Sequence, residues 1–295
     1  MSTVWGVTGR NLKLFFRDRA SVFFSLLSVI IIIGLYALFL GDIQVQNLQD
    51  ASGQILPGAE WLTNAWILAG ILAVSTVTVS LGAYGTMVDD VHGGQIKDFF
   101  VSPIRRSQLV AGYMISSALI SFIMNIVAFV ISEAYIAVSG GELLSLLQMF
   151  ETLCILCLSI FSFSSLVCFV TSYVKSPRAY GTLSTIVGTM IGFVTGIYVP
   201  VGVLPEAVVT VMKGIPFTYC ALWLRQIFTE APLQTAFAGV PAEYVKNYTD
   251  MYGITLYFGD TPVTPWMMAL IIAGTGILFF ALSIWRLSKR SWIVK

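Results

Sequence analysis

Six stretches of this 295-residue chain are apolar for long enough to cross a lipid bilayer, and no other feature restricts its fold so far. They cover residues 22–40, 62–87, 109–138, 146–174, 180–199 and 266–287. A helix needs roughly 20 apolar residues to span the hydrocarbon core. The runs are continuous, whereas a membrane barrel alternates apolar and polar residues in shorter strands, so helices are the expected spanning form. Charged residues make up 11% of the chain, against about 25% in a soluble one. The expected fold is therefore an all-α polytopic membrane protein with six transmembrane helices, a single domain over residues 1–295.

The net charge of +1 is uninformative, but its distribution is not. Every Lys and Arg except Lys213, Arg225 and Lys246 falls on the same side as the N-terminus. The positive-inside rule then puts both termini in the cytosol of a multi-pass plasma-membrane protein, expected to be bacterial. The first span is too long for a cleaved signal peptide, follows a basic segment and lacks a small-x-small cleavage site. Cys154-x-x-Cys157 has a redox or metal spacing, yet within an apolar helix it reads as small packing residues. No metal site is expected.

Residues 1–20 read as an interfacial amphipathic helix, with Trp5, Leu12 and Phe16 on one face and Arg10, Lys13 and Arg17 on another. Residues 200–265 are broken by Pro200, Pro205, Pro216 and Pro232. Two short apolar helices are expected there, over 205–214 and 217–230, as re-entrant or outer elements before the last span. Tyr244, Tyr248, Tyr252 and Tyr257 mark a small external cap. No internal repeat is visible, which argues against transporters built from inverted repeats.

Residues 88–108 form a polar segment between two spans. Ile96, Phe99 and Phe100 recur at i, i+3 and i+4, one apolar face of a short helix that Pro103 ends. Asp90, Lys97, Asp98, Arg105 and Arg106 surround it. Such a knob suits insertion into a cleft on a cytosolic protein; an amphipathic turn resting on lipid is the alternative, which the acids disfavour on an anionic leaflet. The chain has no G-x-x-x-x-G-K-[ST] string to cradle phosphates. It also lacks H-E-x-x-H and G-x-S-x-G, and its one histidine is His92. No catalytic residues are assigned, an enzyme is not expected, and nothing points to nucleic acid.

Gly188-x-x-x-Gly192-x-x-x-Gly196 places glycines four apart, a flat stripe where helices approach closely, within one subunit or between two. Glu133 and Glu151 lie near the outer ends of their spans. Solvated carboxylates are one reading; contacts to a cationic substrate are the other. Asn125, midway along the third span, suits an interhelical hydrogen bond.

These residues resemble the permease subunit of type-2 ATP-binding-cassette (ABC) exporters. Asp90 stands at that family's acidic position, Gly94-Gln95 where Gly-Thr is usual, and Phe99-Phe100-Val101-Ser102-Pro103 followed by Arg105-Arg106 matches its hydrophobic-S-P-basic run. Phe16-Arg17-Asp18-Arg19, Val199-Pro200, Leu204-Pro205-Glu206, Ile215-Pro216-Phe217-Thr218-Tyr219 and Leu224-Arg225 fit in the same order. Gln95, His92 and the paired Gly93-Gly94 depart from the pattern. The resemblance implies that Asp90, Gly94, Ile96, Phe99, Phe100, Ser102, Pro103 and Arg105 couple the chain to a cytosolic ABC ATPase. ATP and Mg would sit on that partner, leaving no cofactor on this chain. It also implies a pair of permeases, two copies or this chain and a paralogue, with Gly188, Gly192 and Gly196 near the centre. The aromatic-rich spans would suit an amphipathic cargo: a drug, natural product, peptide or lipid. A polysaccharide or teichoic-acid exporter, a secondary transporter and a membrane scaffold are the alternatives.

Overall fold

The computed structural model describes residues 2–35, 46, 56–101, 104–174 and 176–289. The end of the first expected span, and most of the segment between it and the second, fall outside them. The elements are α1 (Ser2–Arg17), α2 (Arg19–Leu35), α3 (Ala59–His92), α4 (Ile96–Val101), α5 (Arg106–Val138), α6 (Leu146–Thr171), α7 (Pro177–Val194), a 3-10 turn (Val201–Val203), α8 (Glu206–Lys213), α9 (Pro216–Ala236), α10 (Ala242–Met251), β1 (Tyr257–Phe258), β2 (Thr261–Pro262) and α11 (Pro265–Lys289). The architecture is all-α; the antiparallel β1–β2 hairpin is a minor addition in the cap.

Helix α3 is the axis of the bundle. Its 34 residues extend about 51 Å at 1.5 Å per residue, longer than the hydrocarbon core. Of its most apolar stretch, 89% is buried inside the chain, against 22% for α11, which places α3 at the centre and α11 at the periphery. α1, α2, α5, α6, α7 and α9 all pack on α3. Between helices in lipid the hydrophobic drive is weak, so polar contacts and close packing hold them. Ser80 and Ser121 hydroxyls meet at 2.9 Å, Tyr84 and Ser164 at 3.2 Å, and Ser164 donates to Ser117 at 3.3 Å. Asn125 accepts from Ser75 across the α3–α5 contact and donates to Ser121 O at 2.8 Å, the interhelical role its position suggests.

Among the described residues, α3, α5, α6 and α11 are each long and apolar enough to cross a membrane. Counting the bent pairs α1/α2 and α8/α9 as spans raises the number from four to six. α7, where the fifth span is expected, has 18 residues opening on Pro177-Arg178 and does not stand among them. Local signals account for the breaks. Asp18 ends α1 and caps α2, accepting from Ala20 N at 3.1 Å and Ser21 Oγ at 2.6 Å; these bonds hold its carboxyl below the usual range. Ser145 caps α6 reciprocally with Gln148. Ser176 caps α7 with Pro177 at its first position. α8 and α9 meet at 93°, with Pro216 opening α9.

The amphipathic reading of the N-terminal helix changes in one respect. Val7, Thr8, Asn11 and Phe15 are its buried face, while Trp5 and Phe16 are exposed. α1 therefore packs on α5 through Val7, Thr8 and Asn11 and, one turn on, through Phe15 beside Ile120 and Met124. A Cβ on Gly112 would come within 2.7 Å of Val7, so the glycine is what admits the close approach. Thr8 donates to Gly112 O at 3.4 Å, and Asn11 to Ser116 Oγ at 3.1 Å.

Candidate functional site

α3 does not stop where the polar segment begins. It runs on through Asp89 and Asp90 to His92, because Asp90 is buried and fully engaged. Arg10 of α1 grips its carboxylate with both terminal nitrogens, at 2.6 and 2.8 Å. Tyr113 of α5 donates its hydroxyl to the same carboxylate at 2.5 Å. Arg10 also donates to Asn11 Oδ1 at 3.1 Å and lies 5.5 Å from the Phe99 ring centre. A bidentate charged pair fixes direction as well as distance. One carboxylate on α3 thus ties together α1, α3 and α5, and α4 touches this cluster through Phe99 beside Arg10.

Gly94 makes the corner between α3 and α4. Its φ of +80° is open to glycine without strain, and its carbonyl accepts from Lys97 N at 2.9 Å to start α4. The expected apolar knob is corrected at this point. Ile96 is 0% exposed, in the chain's own core, and Phe99 packs partly against that core. A six-residue helix at the end of an apolar bundle anchors itself by burying its apolar side. The side turned outward carries Gln95, Lys97 and Asp98. Asp90, expected beside the knob, is likewise an internal strut. The Phe100 side chain, Ser102 and Pro103 lie outside the described residues. Arg105 is exposed and donates its backbone N–H to Gln108 Oε1 at 3.1 Å, opening α5.

The glycine stripe also divides. Gly188 has no atom within 4 Å of where a Cβ would stand, on a face of α7 shared with exposed Gly181, Thr185 and Thr189. Gly192 is different: the ring of Tyr198 from the same chain fills the space its Cβ would need. Gly196 lies past the helix end at φ +68°. It closes α7 in a Schellman motif, with Ile197 N donating to Gly192 O at 3.0 Å and Gly196 N to Phe193 O at 3.0 Å. The i+4 spacing continues through a helix terminus, so Gly192 and Gly196 serve packing within the subunit, while Gly188 lines a cavity of about 500 Å³ shared with α2 and α3 of the same chain.

The two carboxylates separate in the same way. Glu133 is buried, and its Oε2 accepts from Leu144 N at 3.0 Å, tying down the α5–α6 connection. Its burial removes the reading of a solvated carboxylate, and the Leu144 bond gives it a structural role. Glu151 is exposed and lines a cavity. Sequence reasoning missed Arg10 and Tyr113 as partners of Asp90. A cation on the face of α1 opposite its large apolar residues was the only signal for Arg10, and nothing in the sequence marks Tyr113. Arg225, marked in the sequence only by the Leu224-Arg225 pair, is 1% exposed with its guanidinium 4.6 Å from the Trp66 ring centre.

Residues 3–229 match the family described as ABC-2 type transporter. No curated protein matches the chain. The family match covers most of the chain, from the Arg10 clamp through α7 to Arg225, and the chain belongs to the ABC-2 type transporter family as a membrane permease subunit.

Proposed function

We propose that this permease is the membrane half of an ATP-driven exporter of amphipathic molecules, powered by a separate ABC ATPase. Permeases of this family generally work with such ATPases. The observation that carries the reading is the Asp90 clamp. A short helix with a polar outer side follows directly on the end of the long buried helix α3, held by buried Ile96 and by Phe99 beside the Arg10 that grips Asp90. A push on Gln95, Lys97 and Asp98 from the cytosolic side then moves α3, rather than bending a loop. The apolar side of α4 anchors it, and the polar side meets the partner.

Exposed Gly181, Thr185 and Thr189 on α7 support a pair of permeases meeting beside α3. These small residues permit close approach, and within the chain α7 packs chiefly on α3. ATP-driven closure of two ATPases would push on both copies of α4 and rearrange the two bundles about this seam. Cargo would leave from the inner leaflet or cytosol.

Purification of the tagged chain from its native membrane in mild detergent tests the proposal. A stoichiometric P-loop ATPase with measurable ATP hydrolysis is expected, and it should be lost from the Lys97→Glu/Asp98→Lys variant. A clean permease with no ATPase, under conditions that keep other membrane complexes together, would overturn it.

A further inference from the structure

At the end of the bundle opposite the Asp90 clamp, α6 and α9 diverge around a cavity of about 740 Å³. One wall is the α6 face bearing Phe150, Glu151 and Cys154; the other is the α9 face bearing Trp223, Gln226 and Glu230. The spacings i, i+1, i+4 and i, i+3, i+7 put each set on a single side of its helix. Ile254 and Thr255 of the cap and Pro265, where α11 begins, complete the lining. The size and the mostly apolar wall with a few polar groups are those of a drug-sized ligand site.

Its charge is one-sided. Glu151 and Glu230 come from different helices, and no lysine, arginine or histidine is among the lining residues. Gln148 donates to Glu230 Oε2 at 3.0 Å, holding that side chain in place. Trp223 and Phe150 offer aromatic faces, which attract cations as well as apolar rings. We infer that this cavity binds amphiphiles carrying an ammonium or other organic cation on an apolar body, with Glu151 and Glu230 recognising the charge. The site is formed within one subunit, away from the α7 face. It rests on the exporter reading only for calling its ligand a cargo; an outer-leaflet lipid with an amine headgroup has the same chemistry.

Cys154 supplies a local reporter, being exposed and in the lining, while Cys168 and Cys220 are buried. The full-length chain carrying Cys157→Ser is purified in maltoside micelles, and Cys154 labelling by a polar maleimide is timed with and without rhodamine 6G. A saturable slowing of at least fivefold is expected, reduced below twofold in Glu151→Gln/Glu230→Gln and with a neutral dye of similar size. Slowing by phosphatidylethanolamine added to the micelles, but not by phosphatidylglycerol, with the same loss in the double variant, would support the site and identify lipid as an occupant. No slowing by either amine-type probe would overturn the inference. So would equal slowing in the double variant or by the neutral dye. Because the readout is binding in the isolated chain, failure to find an ATPase partner leaves its outcome untouched.

Discussion

Arg10 and Asp90, 80 residues apart in the chain, meet as a two-pronged ion pair at 2.6 and 2.8 Å, with the arginine side chain 34% exposed and the aspartate 6%. The asymmetry decides what each mutation does. Removing Arg10 leaves a buried carboxylate with only the Tyr113 hydroxyl to hold it, and breaking such a pair typically costs 3–5 kcal/mol. Since Arg10 is partly solvated, Arg10→Met should fall near the lower end, about 3 kcal/mol. Removing both charges leaves only the neutral Tyr113 hydroxyl without its acceptor, a smaller penalty than a buried unpaired carboxylate, so Arg10→Met/Asp90→Leu should recover part of that loss. Thermal unfolding in detergent checks the order. Equal melting temperatures for the single and double variants would mean that the pair contributes little to the fold.

The two sides of α4 should respond differently. Ile96→Asp puts a charge into the chain's own core and should lower the melting temperature sharply. Lys97→Glu/Asp98→Lys changes exposed residues and should leave unfolding within about 0.5 kcal/mol of the parent, while abolishing co-purification of an ATPase. Phe99→Asp is a poor substitute, because the ring packs on the core and faces Arg10; losses of stability and of coupling would be mixed in one variant.

The divided glycine stripe makes three distinct predictions. Gly188→Leu enters the cavity shared with α2 and α3, so the monomer should fold normally, and a weakened pair of permeases, measured by cross-linking in membranes, would put that cavity at the subunit seam. Gly192→Leu collides with the Tyr198 ring and should destabilise the monomer, with partial rescue by Tyr198→Ala. Gly196→Ala must hold φ near +68°, which costs an L-residue roughly 1–2 kcal/mol, and its Cβ would stand 2.9 Å from Val201. Normal folding of Gly192→Leu would remove the intrachain assignment and return that position to the subunit interface.

What the sequence made legible follows the physics that produces each feature. Long apolar runs define α3, α5, α6 and α11 because a bilayer constrains length and composition directly. Pro216 marked a break ahead of α9 because its effect is local; Ser145, Ser176 and Asp18 are caps of the same local kind that the sequence reading passed over. Contacts between distant segments left no such trace. Ile96 has helical spacing to Phe99 and Phe100 whichever way the face turns, and only its burial in the chain's core shows that it points inward. Gly196 keeps the i+4 rhythm of Gly188 and Gly192, but the helix has ended two residues earlier, at Val194. Glu133 and Glu151 look alike in sequence; the Leu144 amide distinguishes them.

Arg225 supports a further prediction. It is a cation 1% exposed within a chain read as a membrane bundle. Its guanidinium lies 4.6 Å from the Trp66 ring centre, and Cβ atoms on Gly70, Gly196 or Gly253 would each come within 3.4 Å of it. Trp66 in turn donates to Tyr252 O at 2.7 Å, and the two rings meet edge to face at 5.3 Å. α3, the end of α7, α9 and the cap therefore converge on one planar group. Lysine keeps the charge but neither the plane nor the reach of the fork. Arg225→Lys should lose part of a desolvated cation–π contact, about 2 kcal/mol, and loosen the cap from α3. Proteolysis between α10 and α11 should accelerate along with the fall in melting temperature. A variant that melts earlier without faster cleavage in the cap would show that Arg225 stabilises the bundle alone and does not fasten the cap to it.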